Sequence, residues 1–266
     1  MPLVRVNGAD LYHEVRGSGP ALLFIAGAFS DTSHFARVGE LLTDEFTIVT
    51  YDRRGYSRSG GGGGPTGPAA QADDAVNLLA ALGLAPAAVY GNSSGAIIAL
   101  DLVLRQAAAV QAAILHEPPL MAGWARPDEV RAAIGGVVER GMATGGPAAA
   151  AEAFFRFVAG DANWESIGHE ARDRIRKNGP TFFGSEIGKF EPFRPDDAAL
   201  AAISRPVLVL VSEGSPPFFA EATAWLAARL GVAITWTPGT HTPQIDHPVE
   251  LAHTIRTFLR EHARRS

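Results

Sequence analysis

The chain contains no cysteine, so disulfides, thiolate metal sites, thiol catalysis and iron–sulfur clusters are excluded by composition. Lysine is almost missing as well. Lys177 and Lys189 are the only two, and the arginines that replace it are scattered without forming a stripe. With 23 basic and 28 acidic residues the formal charge is −5, which argues against nucleic acid or an anionic membrane as a general partner. No apolar run approaches the roughly 20 residues that span a bilayer. The first twenty residues carry Arg5, Asp10, Glu14 and Arg16 where a signal peptide needs an apolar segment. These absences lead to the expectation of a cytoplasmic protein with neither membrane nor nucleic-acid partner.

What is present is a patterned globular sequence, 47% hydrophobic over 266 residues, which excludes wholesale disorder. Leu3–Val6 and Leu11–Val15 read as strands joined by an Asn7-Gly8 hairpin turn. Ala21–Ala26, Thr47–Tyr51, Ala87–Tyr90, Ala112–His116, Val207–Val211 and Ala233–Thr237 read as buried strands. Stretches of helical periodicity separate most of them, including Ala69–Leu82, Gly95–Arg105 and Ala220–Leu230. This alternation predicts an α/β fold: an eight-stranded, mostly parallel sheet with helices on both faces.

Two segments interrupt the pattern. Gly60–Gly64 reads as a surface loop. A longer stretch looks helical without a buried strand, and it holds seven of the 14 phenylalanines and two of the four tryptophans. Inserted between two strands, it would lie over the carboxyl edge of the sheet, where open α/β folds bind ligands. The expected organisation is a core of residues 1–118 and 196–266, with a helical lid over 119–195.

The strongest chemical signal is Gly91-Asn92-Ser93-Ser94-Gly95, a G-x-S-x-G pattern between a strand and a helix. In that context the serine sits on a strained turn that presents its hydroxyl at the top of the sheet, and small residues two positions away let the backbone come close. Ser93 is the candidate nucleophile. A base is expected late in the chain, and His241 follows the last strand through a Pro238-Gly239 turn. His116, His247, His253 and His262 read as structural or solvated.

With these landmarks in order, alongside the turn Tyr51-Asp52-Arg53-Arg54-Gly55, the chain resembles the α/β-hydrolase superfamily over essentially its whole length. The resemblance implies a serine hydrolase without cofactor or metal, its triad running Ser, acid, His. The acid departs from the common pattern. The usual aspartate position after Val207–Val211 is Ser215, within Ser212-Glu213-Gly214-Ser215. The candidate is instead Glu117, in His116-Glu117-Pro118-Pro119, with Glu213 as the alternative. A glutamate one strand earlier resembles some haloalkane dehalogenases and the zearalenone-lactonase-like hydrolases. The latter also share the Ser-Ser-Gly-Ala run at 93–96, Lys177-Asn178 before Pro180, and Pro-Gly-x-His. Where those lactonases carry a substrate-contacting tryptophan, this chain has Phe182.

The oxyanion donors are expected to be the backbone N–H groups of Ser94 and Ala28. Phe29, Trp124 and Phe182 are the candidate substrate contacts among many lid aromatics, most of which are expected to glue the lid together. The expected activity is hydrolysis of a small apolar ester or lactone by a monomer or homodimer. The same triad supports C–C bond hydrolysis or a cofactor-free haloperoxidase-type reaction, and a non-catalytic ligand receptor is the remaining alternative.

Overall fold

The computed structural model describes residues 2–61 and 64–263. Two glycines of the predicted surface loop, Gly62 and Gly63, lie outside them. Eight strands form one sheet in the order β1-β2-β4-β3-β5-β6-β7-β8. They are β1 (Leu3–Val6), β2 (Ala9–Arg16), β3 (Ala21–Ile25), β4 (Thr47–Tyr51), β5 (Ala87–Asn92), β6 (Val110–His116), β7 (Val207–Ser212) and β8 (Ile234–Thr237). β1 and β2 form an antiparallel hairpin, with Val6 opposite Ala9. Asn7 and Gly8 supply the two positive φ values, 46° and 80°, that match such a turn to the strand twist. β2 joins β4 antiparallel, and β3 to β8 run parallel.

The helices are α1 (Ala36–Glu40), α2 (Pro68–Ala81), α3 (Ser94–Arg105), α4 (Pro127–Ala159), α5 (Asp161–Ser166), α6 (His169–Thr181), α7 (Ile187–Phe190), α8 (Asp197–Ala201), α9 (Pro217–Leu230), α10 (Pro243–Asp246) and α11 (Pro248–Ala263). Strand residues alternate between two apolar layers, as a period of two requires. Leu23, Ile25, Val89 and Val209 pack on the side of α2, α3 and α9. Leu22, Phe24, Tyr90 and Leu210 pack on the side of α1 and α11.

The described elements between β6 and α8 are helical, as the sequence predicts for the inserted segment. α4 is two helices in one, because Gly145 and Gly146 leave helical geometry just before Pro147. A π-helical turn, Phe182–Glu186, joins α6 to α7. Among the described residues, no helix is long and apolar enough to cross a membrane.

Candidate active site

The carboxyl ends of β3, β5, β6, β7 and β8 lie side by side, so the loops that leave them share one edge. The turn after β5 carries Ser93 at φ 57° and ψ −125°, a conformation that side chains other than glycine rarely adopt. The flanking glycines follow from space. A Cβ on Gly91 would lie 2.3 Å from the Gly95 carbonyl oxygen, and one on Gly95 would lie 2.2 Å from that of Ile25. The Ser93 N–H is tied to the His116 carbonyl at 2.9 Å. Ser94 opens α3, so its N–H belongs to a helix N-terminus, where backbone donors are free and negative charge is favoured.

His241 stands just beyond β8 and is 3% exposed. Three contacts fix it. Its carbonyl accepts from the Asn92 side-chain amide at 3.1 Å. Its Nδ1–H donates to Glu117 Oε2 at 2.5 Å. One face of its ring stacks on Phe219, with centroids 3.9 Å apart and planes 15° from parallel. Because a carboxylate can only accept, the contact with Glu117 places the proton on Nδ1 and leaves Nε2 as an acceptor.

Glu117 is fully buried at the end of β6. Besides His241, it accepts from the Ser212 N–H on Oε1 at 2.7 Å and from the Ser215 hydroxyl on Oε2 at 2.9 Å. Burial pushes its carboxyl up, but the neighbouring His116 and His241 rings and the Ser212 N–H outweigh this and hold it below its ordinary value. His116, adjacent in the chain, is fully buried too. Its Nδ1 lies 2.9 Å from the Tyr90 hydroxyl and 3.1 Å from the Asn92 amide, both available as donors, while Nε2 lies 2.9 Å from Ser212 Oγ. Burial lowers the His116 ring to about 4, so it is neutral at physiological pH. Glu213, the alternative acid, is exposed, and its N–H bonds to the Thr237 carbonyl instead.

Ser93, Ala28 and His241 line a narrow recess. Ser93, Ala28 and Ser94 also form the floor of a larger cavity of about 300 Å³. That volume is at the lower end for small-molecule pockets. Its walls are apolar: Ile97 from α3, Trp124 and Phe154 from the inserted segment, and Phe218 from α9. The charged lining residues are Arg131 and Glu191, both exposed and paired at 3.2 Å, which marks the rim.

A strained serine after the central strand, a buried histidine–carboxylate pair beside it and helices on both faces are now all in place. Residues 22–254 match the alpha/beta hydrolase family. The chain belongs to that family. It is similar to the hydrolase YraK of Bacillus subtilis, 43% identical over 120 residues, a match that spans only 44% of either chain. It is also similar to a zearalenone hydrolase of Bionectria ochroleuca, 24% identical over 270 residues and 96% of each chain. Among solved structures, a thermophilic esterase from Thermogutta terrifontis superposes with a TM-score of 0.79 at 24% identity, over 98% of this chain and 99% of that one.

Within this α/β-hydrolase, the residues singled out from sequence are distributed as follows. Ser93, Glu117 and His241 converge, and Ala28 and Ser94 border the same cavity as Ser93. Trp124 and Phe182 line the large cavity, together with Phe154 and Phe190. Phe29 does not. The residue is 1% exposed, its ring packs edge-on against Phe182 at 4.7 Å, and it borders the narrow recess shared by Ser93 and His241. Phe218 and Phe219 escaped sequence reasoning. Their position, just after the turn that holds Ser215, was the available signal.

Proposed function

We propose that the protein is a serine hydrolase of carboxylic esters or lactones with apolar substituents. In this reading His241 Nε2 takes the Ser93 proton as Oγ attacks the carbonyl carbon, and the C=O electrons move onto oxygen. The N–H groups of Ala28 and Ser94 stabilise that oxyanion. Collapse expels the alkoxide, which takes the proton from His241 and leaves an acyl group on Ser93. Water, deprotonated by His241, then releases the acid. Glu117 fixes the tautomer and stabilises the imidazolium throughout. Residues 119–195 act as a cap that supplies much of the apolar wall.

The observation that carries this reading is the buried Glu117–His241 pair, whose histidine shares one recess with Ser93 beside an apolar cavity. The full-length similarity to a zearalenone hydrolase supports a ring-containing substrate. The test compares wild type with Ser93→Ala on p-nitrophenyl esters, small lactones and macrocyclic lactones. The alanine variant should fold normally, lose labelling by a fluorophosphonate probe, and drop on the order of 10⁴–10⁶-fold in kcat. Retention of more than a few per cent of turnover would refute the assignment.

A further inference from the structure

Arg53 lies in the turn after β4, and neither it nor its partner Glu186 is exposed by more than 1%. Its guanidinium forks onto the Glu186 carboxylate through Nη1 and Nη2, and Nη1 also donates to Gln71 Oε1 at 2.6 Å. The Tyr56 hydroxyl and the Gln71 amide donate to the same carboxylate. Burial alone would push Arg53 down, but Glu186 more than offsets it and keeps the guanidinium charged. A buried ion pair of this kind is a weak source of stability, because desolvating the two charges cancels most of their attraction. Its value lies in what it holds in place.

The fourth contact answers that. Arg53 Nη2 donates to the carbonyl of Gly27 at 3.1 Å, and the Ser30 N–H shares that oxygen at 3.4 Å. The Gly27 carbonyl and the Ala28 N–H belong to one planar trans peptide, so they point in opposite directions and move together. Fixing the carbonyl from behind aims the N–H forward, and donation to the carbonyl polarises the peptide and strengthens its N–H as a donor. Glu186 comes from the inserted helical segment, 133 residues away from Arg53.

We infer that Arg53 is a positioning residue for the oxyanion hole, held by Glu186 so that seating of the cap over the core aligns and polarises the Gly27–Ala28 peptide. This rests on the serine hydrolase reading above. It adds to that reading a dependence of the oxyanion donor on a cap side chain.

The experiment uses the paired variant Arg53→Met/Glu186→Gln, which removes both charges together and leaves the substituted amide within reach of Tyr56 and Gln71. Arg53→Lys serves as a second variant, keeping charge but losing the fork that reaches Glu186 and Gly27 at once. The readouts are kcat and KM on one p-nitrophenyl ester, Ki for an aryl trifluoromethyl ketone, and Ki for the product acid. The ketone accepts Ser93 Oγ at its carbonyl carbon and becomes an anionic hemiketal, with the serine proton passing to His241. Its affinity therefore reports the oxyanion hole. Loss of a whole oxyanion donor costs about 10²–10³-fold in kcat, so loss of its alignment should cost about 10–10²-fold.

The inference expects that fall in kcat, a matching loss of ketone affinity, and KM and product-acid Ki within about threefold of wild type. Arg53→Lys should fall between. Unchanged kcat overturns it. So does a rise in KM with unchanged ketone affinity, the result expected of a mere cap latch. If Ser93→Ala is inactive while both Arg53 variants match wild type, this inference fails and the serine mechanism stands. Activity in Ser93→Ala would fail the mechanism itself.

Discussion

Replacing Glu117 by glutamine changes one oxygen to an amide and little else in volume. The structure dictates where the damage falls. Oε1 accepts the Ser212 N–H at 2.7 Å, so the glutamine carbonyl oxygen is forced to remain there. The opposite orientation would set two buried donors against each other, at a cost of about 1–3 kcal/mol. The NH₂ group then faces His241 and Ser215 at the position of Oε2, where Glu117 had accepted at 2.5 and 2.9 Å. His241 must turn Nδ1 into an acceptor, which moves its proton to Nε2, the atom that the proposed mechanism requires to deprotonate Ser93. The imidazolium also loses its counter-charge. The corresponding change in a serine protease lowers kcat about 10⁴-fold, so a fall of at least ~10²-fold is expected here. The assay is kcat on one p-nitrophenyl ester from pH 6 to 9. Ser215→Asp in the glutamine background should recover part of the rate, because the Ser215 hydroxyl already reaches the oxygen that His241 uses. In the wild-type background the same aspartate would face Glu117 and lower the rate. Near-wild-type turnover of Glu117→Gln, with collapse in Glu213→Gln, would overturn this reasoning.

Two other predictions use different observables. Phe182→Ala should raise KM about tenfold for bulky ring esters and change acetate esters little, because Phe182 walls the large cavity beyond the Ser93 floor; equal effects on both would assign the ring to cap packing. His116 should make stability depend on pH. Its folded value of about 4 lies below the ordinary 6.5, so its contribution is complete above about pH 6.5 and is lost as pH falls toward 4. Wild type should lose about 3 kcal/mol more than His116→Gln between pH 7 and pH 4 in urea unfolding, and parallel losses would count against it.

The parts legible in the sequence are those with a local cause. Asn7-Gly8 gave the hairpin because few residues other than asparagine and glycine tolerate its two positive φ values. The elbow was readable because Gly91 and Gly95 are required within two residues of Ser93. Glu117 was readable only through resemblance to hydrolases whose acid is a glutamate one strand earlier, with Glu213 left as the alternative, and in the structure the Ser215 hydroxyl donates to Glu117. The residues that were missed owe their roles to long-range geometry. Phe218 and Phe219 lay just outside the helical stretch read over Ala220–Leu230, and they reach the site because β7 lies between β6 and β8. Arg53 and Glu186 carry no periodic or spacing signal across 133 residues. Among the inserted aromatics, helical periodicity could not separate Phe182, which lines the large cavity, from Phe183, which does not.

Backbone strain shows how these pieces depend on one another. Among the described residues other than glycine, five have positive φ: Asn7, Phe29, Ser57, Ser93 and Glu117. Asn7 is explained by its hairpin. Ser93 and Glu117 belong to the candidate site, Phe29 borders its recess, and Ser57 is linked to Phe29 through Asn178. Each such conformation costs on the order of 1–3 kcal/mol unless its surroundings over-determine it. Each is held by a specific bond. The Ser93 N–H goes to the His116 carbonyl, and the Glu117 N–H to the Leu210 carbonyl, both within the sheet edge. Phe29 and Ser57 are held from the inserted segment: Asn178 donates to the Phe29 carbonyl at 2.8 Å and accepts the Ser57 N–H at 2.8 Å. Asn163 does the same for the histidine loop, donating to Thr240 and Thr242 on either side of His241 at 2.8 Å each. Bonds at the sheet edge therefore hold Ser93 and Glu117, whereas the Phe29 loop and the loop that carries His241 are also tied to buried polar side chains of the inserted segment, Asn178 and Asn163. A cap that merely covered the cavity would need only its aromatic face, and these buried amides would then be an unexplained cost.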